Sequence, residues 1–183
     1  GEKKTFTVGF DASFPPYGYQ ENGEYVGFDL DLAQEVCDRN GWELVKTPID
    51  WDAKNMELNS GAIDCIWNGF TLNGREDDYT WTPAYINNTQ VFAVNKNSGI
   101  TKAADLAGKN VLVQADSSAL AALQDEENTD IKALADSFGS LTQVPDYESA
   151  LMELEAGSAD AVAMDEGVAL TKQAQNDNIV ILD

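Results

Sequence analysis

The chain has 183 residues, of which 43% are hydrophobic, so it can bury one good core or two small cores of roughly 80 to 100 residues each. Its 32 acidic and 11 basic residues give a formal net charge of −21. With no cluster of Lys and Arg to offset that field, the charge excludes binding to nucleic acid or to an anionic membrane surface. The acidic residues are spread along the chain, which is typical of a solvated surface. No apolar run approaches the ~18 residues that a membrane span needs.

The first half of the chain alternates apolar runs with polar segments. Its predicted strands are residues 6–10, 44–49 and 63–67, and its predicted helices begin at about residue 29 and span residues 53–60. A loop with Pro15 and Pro16 follows the first strand. Asp29 can cap the first helix and Gly41 can end it. The apolar face of this helix consists of Leu32, Ala33, Val36 and Cys37. Residues 63–67 are expected to be buried on both faces, as in a parallel sheet.

The second half continues the same alternation. Its predicted strands are residues 110–114, 141–144, 160–164 and 179–182, and its predicted helices start at residue 117 and span residues 147–155 and 166–176. A strand at residues 90–94 carries the chain out of the first half, and residues 97–102 begin the second. Residues 125–130 are interpreted as a polar loop.

An internal repeat relates the two halves. Residues 50–69 and 146–165 share Asp, Met-Glu-Leu, Gly and Asp in register, and residues 4–13 echo residues 109–118 more weakly. The sequence therefore predicts two related α/β units in tandem, divided into residues 1–92 and 93–183. Ligands of open parallel sheets lie outside the carboxyl ends of the strands, so two such sheets facing each other would form a cleft. Its predicted lining is Asp11, Asn68, Gly69 and Thr71 from one side and Ser117, Ser118 and Asp165 from the other.

The polar residues at these strand ends suit a zwitterion such as a free amino acid. Arg75, in the loop after the third strand, can hold a carboxylate in a bidentate fork. Thr71 and the amides at the start of the Ser117 helix add donors, and Asp165 can accept hydrogen bonds from an ammonium. Two structural alternatives remain open. Arg75 can form a surface ion pair with Glu76, Asp77 or Asp78, and Asp165 can cap the helix that follows it.

Aromatic residues after strands offer stacking surfaces for such a ligand. Phe14 and Trp51 both follow strands, where a flat side chain can sandwich an apolar or cationic stem. Local packing is the alternative for each of them, and Trp67 is assigned to the core.

Cysteine and histidine usage limits the chemistry. Cys37 and Cys65 suit either buried thiols or one disulfide. The chain has no histidine, which removes the commonest general base and metal ligand, and no Cys, Asp or Glu spacing matches a zinc site or an EF-hand loop. Neither a cofactor nor a metal is predicted.

Several stretches together resemble a known family. The segments YVGFDLDLAQEV, WDAKNMELNSGAIDCIWNGFTLNGRE, YTWTPAYINNTQVFAV, ITKAADLAGKNVLVQADSSA and AVAMDEGVAL are similar to the polar amino-acid-binding subunits of ABC importers, the type II periplasmic binding proteins. The resemblance implies a two-lobed α/β fold in which each lobe is a mostly parallel sheet flanked by helices and the ligand lies between the lobes. It also implies delivery of a polar L-amino acid to a membrane permease, no enzymatic activity, and a periplasmic or extracellular location with lipid anchoring as an open alternative.

The resemblance assigns roles to individual residues. The ligand-binding residues that it implies are Asp11, Phe14, Trp51, Asn68, Gly69, Phe70, Thr71, Arg75, Gln114, Ser117, Ser118 and Asp165. Asp11 and Phe14 would contact the ligand side chain, Gln114 would select it, and Asp165 would bind the ammonium. The loop from Thr71 to Arg75 is one residue shorter than the usual T-I-T-P-E-R of relatives. The unchanged spacing from Arg75 to Trp81 favours the clamp assignment.

Two further expectations follow from the resemblance. The charge of Asp11 beside neutral neighbours opposes aspartate and glutamate and suits a basic or amide side chain. Family members usually continue beyond the equivalent of Asp183 with a strand and closing helices, so a truncation, a fragment completed by another molecule, or a dimer that exchanges segments is expected. A ligand-sensing receptor domain and, less readily, a dehydratase-like enzyme are the alternative functions.

Overall fold

A computed structural model describes residues 1–182. The chain folds as two compact units, Gly1–Phe70 and the residues from Thr71 onward. The division of the lobes after residue 92 stays a prediction. None of the helices within the described residues combines the length and apolar character needed to cross a lipid bilayer.

The first unit contains one parallel sheet and one small antiparallel sheet. Its elements are β1 (Thr5–Phe10), β2 (Ser13–Phe14), β3 (Gly18–Glu21), β4 (Glu24–Val26), α1 (Phe28–Asn40), β5 (Glu43–Pro48), a 3₁₀ turn (Trp51–Ala53), α2 (Lys54–Asn59) and β6 (Cys65–Ile66). The parallel sheet has the order β5-β1-β6, and the antiparallel sheet has the order β2-β3-β4. Val8, Phe10, Leu30 and Ala33 form the buried core between β1 and α1.

The start of α1 differs from the prediction. Gly27, not Asp29, is the N-cap, and Asp29 lies within the first turn. Gly27 has a φ of 135°, and an added Cβ there would collide with the Tyr17 carbonyl. The N–H of Asp29 donates to that carbonyl, so the backbone of a preceding segment satisfies a first-turn donor that a capping side chain would otherwise bind. The predicted stop at Gly41 is confirmed, because this residue takes the left-handed conformation at φ 68°.

The strand predicted at residues 63–67 is shorter and less buried than expected. Only Cys65 and Ile66 form β6, and both are half-buried. β6 lies at the edge of its sheet and, among the described strands, pairs with β1 alone, so burial on both faces was wrong. Ile63 is buried against Gly9, where a Cβ would overlap its side chain. Trp67, assigned to the core, is half-buried and packs against the β1–α1 core.

The second unit is built on a five-stranded mixed sheet. Its elements are β7 (Gln90–Asn95), a 3₁₀ turn (Ala103–Leu106), β8 (Asn110–Gln114), α3 (Ser118–Gln124), α4 (Thr129–Ser137), β9 (Ser140–Val144), α5 (Tyr147–Ala156), β10 (Ala161–Asp165), α6 (Glu166–Gln175) and β11 (Ile179–Ile181). The strand order is β11-β7-β10-β8-β9, with β7 antiparallel to both of its neighbours. Helix α4 was not predicted. Asn128 caps it by accepting from the N–H of Ile131, and Ile131 and Ala135 pack on the core.

The internal repeat is confirmed at the level of topology. In the first unit the strands β1, β5 and β6 lie in the order β5-β1-β6, and in the second unit β8, β9 and β10 lie in the order β9-β8-β10. All four neighbouring pairs are parallel. In both units the repeat therefore spans a helix and the parallel strand that returns beside the first strand.

The two cysteines are free thiols, so of the two alternatives the unbonded one is found. Cys37 is buried on α1 and Cys65 is half-buried in β6. Burial, together with the nearby charge of Asp64 and the proximity of Cys37, raises the pKa of Cys65 to about 12. The pKa of Cys37 is also raised, chiefly by burial.

Candidate functional site

Asp11 and Asn68 meet at one edge of the parallel sheet in the first unit. Asp11 follows β1, Asn68 comes shortly after β6, and these strands are parallel neighbours. The Asn68 side-chain oxygen accepts from the Asp11 N–H at 3.3 Å, and one Asp11 carboxylate oxygen accepts from the Ser13 N–H at 2.9 Å. Both side chains are buried. The fold thus holds a carboxylate at the carboxyl end of its central strand.

Gly69 lets an aromatic pair approach the backbone of the same edge. A Cβ at Gly69 would lie 2.5 Å from Phe14 Cε1 and 3.1 Å from Tyr17 Cδ2. The rings of Phe14 and Tyr17 are both buried, with centroids 5.6 Å apart. Tyr17 was not singled out from the sequence, although it stands with Phe14 in the aromatic segment SFPPYGY.

Trp51 belongs to a second aromatic group in the first unit. Its ring meets that of Phe70 edge to face, with centroids 4.9 Å apart and an interplanar angle of 84°. The ammonium of Lys54 lies 4.7 Å from the Trp51 centroid and 5.9 Å from the Phe70 centroid. It also donates to the Trp51 carbonyl at 3.3 Å. The sequence analysis did not identify Lys54 as a site residue. Its only signal was that it follows Trp51 by three residues, across a predicted helix start.

Arg75 connects the loop that opens the second unit with the start of α3. Its guanidinium donates to the Thr71 carbonyl at 3.2 Å, to the Ser118 hydroxyl at 3.1 Å and to the Asp116 carbonyl at 2.8 Å. The Trp81 indole N–H donates to the Arg75 carbonyl at 3.1 Å. Residues more than 40 positions apart in the chain thereby hold a planar cation in one orientation.

The predicted helix start after β8 is found as expected. Ser117 is the N-cap of α3, and its hydroxyl accepts from the Leu120 N–H at 3.1 Å. Gln114 ends β8, is buried, and donates to the Pro145 carbonyl at 3.1 Å. Asn88 donates to the Thr71 hydroxyl at 3.3 Å and so fixes this side chain.

Asp165 lies at the end of β10 with its side chain buried. It occupies the N-cap position of α6, yet its carboxylate makes no capping hydrogen bond. The Glu166 N–H donates instead to the Thr89 carbonyl at 2.9 Å. The alternative in which the Asp165 side chain caps α6 is therefore not found, and its role as an ammonium partner stays a prediction.

The structure thus groups the candidate residues within each unit. In the first unit the groups are Asp11 with Asn68, Phe14 with Gly69, and Trp51 with Phe70. In the second unit Thr71, Arg75 and Ser118 form one hydrogen-bonded group, while Gln114 and Ser117 flank it in sequence at the end of β8 and the start of α3. Ligand contact by each of them stays a prediction.

Comparison with known families decides the classification. The sequence pattern of the bacterial extracellular solute-binding proteins, family 3, matches residues 6–138, well over half of the chain. The chain belongs to this family.

Individual members of the solute-binding family are similar over nearly the whole chain. The arginine-binding extracellular protein ArtP of Bacillus subtilis is 28% identical over 179 residues, which are 97% of this chain and 67% of ArtP. The chain therefore spans about two thirds of the length of that relative.

Solved structures of similar proteins show the same fold. A substrate-binding protein of an ABC uptake transporter from Streptococcus pneumoniae, with bound histidine, matches with a TM-score of 0.89 and 32% identity, over 97% of this chain and 74% of that one. An ancestral arginine-binding protein bound to glutamine matches with a TM-score of 0.84 and 32% identity, over 100% of this chain and 79% of that one. The predicted two-lobed class with helix-flanked, mostly parallel sheets is confirmed.

Proposed function

We propose that this protein binds a polar L-amino acid and delivers it to the permease of an ABC importer, without making or breaking a covalent bond. The observation that carries the proposal is the orientation of Arg75 by three oxygens of its own unit. A guanidinium held in one plane is suited to bidentate binding of a carboxylate, because little conformational freedom remains to be lost.

We assign the α-amino and α-carboxylate groups of the ligand to residues of the second unit. Arg75 binds the carboxylate, with Thr71, Ser117 and Ser118 as additional donors. Asp165 is assigned to the ligand ammonium, because its buried carboxylate lies at the end of β10 and has the opposite charge, which suits a charge-assisted hydrogen bond.

The ligand side chain is assigned to the first unit and to Gln114. The assigned residues of the first unit are Asp11, Phe14, Trp51, Asn68, Gly69 and Phe70. We propose a basic or amide side chain, because Asp11 supplies a negative charge that opposes aspartate and glutamate. The names of some similar proteins support this class, since they describe binding of arginine, histidine and glutamine.

The family supports a location outside the cytoplasmic membrane, in the periplasm or the extracellular space. Lipid anchoring at the outer face of that membrane, the permease as partner, and a dimer or segment-exchanged assembly stay predictions. Metabolic labelling of intact cells with a fatty acid tests lipid anchoring, and light scattering tests the dimer or segment-exchanged assembly.

A thermal-shift screen of the twenty L-amino acids tests the proposed function. A ligand at 100 times its Kd adds about 2.7 kcal/mol to the free energy of unfolding, which raises Tm by about 5 to 10 °C in a chain of this size. The matched control is the D-enantiomer of each amino acid that raises Tm. A screen in which no L-amino acid raises Tm, followed by calorimetry without binding heat, would contradict the proposal.

A further inference from the structure

Lys54 is the one Lys or Arg side chain that is buried among residues 1–182, with a relative exposure of 1%. Its ammonium lies over the Trp51 ring at 4.7 Å and near the Phe70 ring at 5.9 Å. A cation within about 6 Å of an aromatic centroid is attracted by the negative face of the ring. These contacts place a positive charge on the aromatic pair of the first unit.

The position of this cation is energetically unfavourable for the helix that carries it. Lys54 is the first residue of α2, where the helix dipole is positive and repels a cation. Removing an ammonium from water adds a desolvation penalty. Local helix stability therefore does not explain a lysine here, whose ammonium contacts the Trp51 carbonyl and the two rings.

The internal repeat shows that the fold itself does not require a cation at this place. The repeat aligns Trp51 with Tyr147 and Lys54 with Ala150. Tyr147 and Ala150 are both buried, at the start of α5. The second unit thus combines an aromatic residue with a methyl group at the positions where the first unit combines an aromatic residue with an ammonium.

We propose that Lys54 is a specificity-determining residue that disfavours cationic ligand side chains and favours neutral planar ones. This inference rests on the proposed function, in which Trp51 stacks on the ligand side chain. An aromatic pair that already binds one ammonium attracts a second cation less, because the two like charges repel each other where water screens them little. The proposed class of ligand side chain therefore narrows from basic or amide to amide-like.

Calorimetry with ligand pairs matched in length tests the inference. Arginine is compared with citrulline, its neutral isostere, and ornithine with glutamine, in the wild-type chain and in Lys54→Met. In the wild type the neutral member of each pair should bind at least as tightly as the cationic one. Lys54→Met should shift the Kd ratio about tenfold toward the cation, the size of a like-charge interaction across roughly 10 Å at an effective dielectric constant of about 20.

Lys46→Met is the matched control. Lys46 is an exposed lysine of the first unit, so this variant removes the same charge at the surface and should leave both ratios within twofold of the wild type.

Two results would overturn the inference while the proposed function stands. One is a wild-type chain that binds arginine tenfold more tightly than citrulline, which needs no variant and decides the matter even if Lys54→Met does not fold. The other is a folded Lys54→Met whose ratios equal those of Lys46→Met. Absence of binding by every amino acid would instead remove the proposed function, and the inference with it.

Discussion

Replacing Arg75 by alanine should affect both ligand affinity and the stability of the second unit, and the two effects can be measured separately. Two charge-assisted hydrogen bonds to a ligand carboxylate contribute roughly 1.5 to 3 kcal/mol each. Loss of the smaller value already weakens binding by about tenfold, since about 1.4 kcal/mol corresponds to one decade in Kd. We therefore expect Arg75→Ala to raise the Kd for the best amino acid by at least tenfold.

The same variant also removes contacts within the protein. Arg75 is half-buried and donates to the Thr71 carbonyl, the Asp116 carbonyl and the Ser118 hydroxyl. Each hydrogen bond stabilises the folded chain by about 1 kcal/mol net, and partial exposure reduces the sum. A loss of about 1 to 3 kcal/mol in the free energy of unfolding is expected. It is measured without ligand, by denaturant titration.

Two further variants make the comparison specific. Arg75→Lys retains the charge but loses the planar fork, so its Kd should fall between those of the wild type and Arg75→Ala. Arg39→Ala removes the other arginine, whose exposed side chain forms an ion pair with Glu35 at 2.8 Å on α1. Such surface pairs contribute little, so neither Kd nor stability should change appreciably. Titration calorimetry that finds the wild-type Kd for a folded Arg75→Ala would refute the clamp.

Three other predictions concern individual groups. Asp165→Ala should weaken binding at least tenfold by calorimetry, because the ligand ammonium loses its carboxylate; an unchanged Kd would argue against this role. Gly69→Ala should cost about 1 to 3 kcal/mol of stability by denaturant titration, since the new methyl group overlaps the Phe14 ring, and a stability equal to that of the wild type would contradict the packing. The pKa of Cys65 rises from 9.0 to about 12 mainly through burial, so the folded state binds its proton more tightly than the unfolded state. The free energy of unfolding should thus decrease as pH increases from 9.0 to about 12, and Cys65→Ala should make that decrease smaller; equal pH slopes would count against it.

Elements with strong periodicity or a clear stop signal could be predicted from the sequence. The strand at Asn110–Gln114, the helix start next to Ser117 and the helix stop at Gly41 all agree with the structure. The sheet β2-β3-β4 was missed because its strands have only two to four residues. The sequence did contain a signal for this sheet, because the pair Asn22-Gly23 favours a tight hairpin turn. In the structure both residues have positive φ values, 52° and 81°.

Tertiary contacts explain what the sequence could not show. Gly27 can cap α1 because the carbonyl groups of Pro16 and Tyr17 accept the first N–H groups of the helix. This arrangement depends on the path of the preceding hairpin. Burial of Lys54 depends in the same way on two rings from different segments. A single lysine in a helical segment normally indicates a solvated surface, so its spacing from Trp51 was too weak a signal to place it in the core.

Among the described residues, the strands of each unit pair only with strands of the same unit. Contacts that close within short stretches form quickly and can be lost together. The two units are therefore expected to behave as separate cooperative folding units in native-state hydrogen exchange. Amides of β10, which has a paired strand on either side, should exchange most slowly, and those of the two-residue edge strand β6 should exchange much faster.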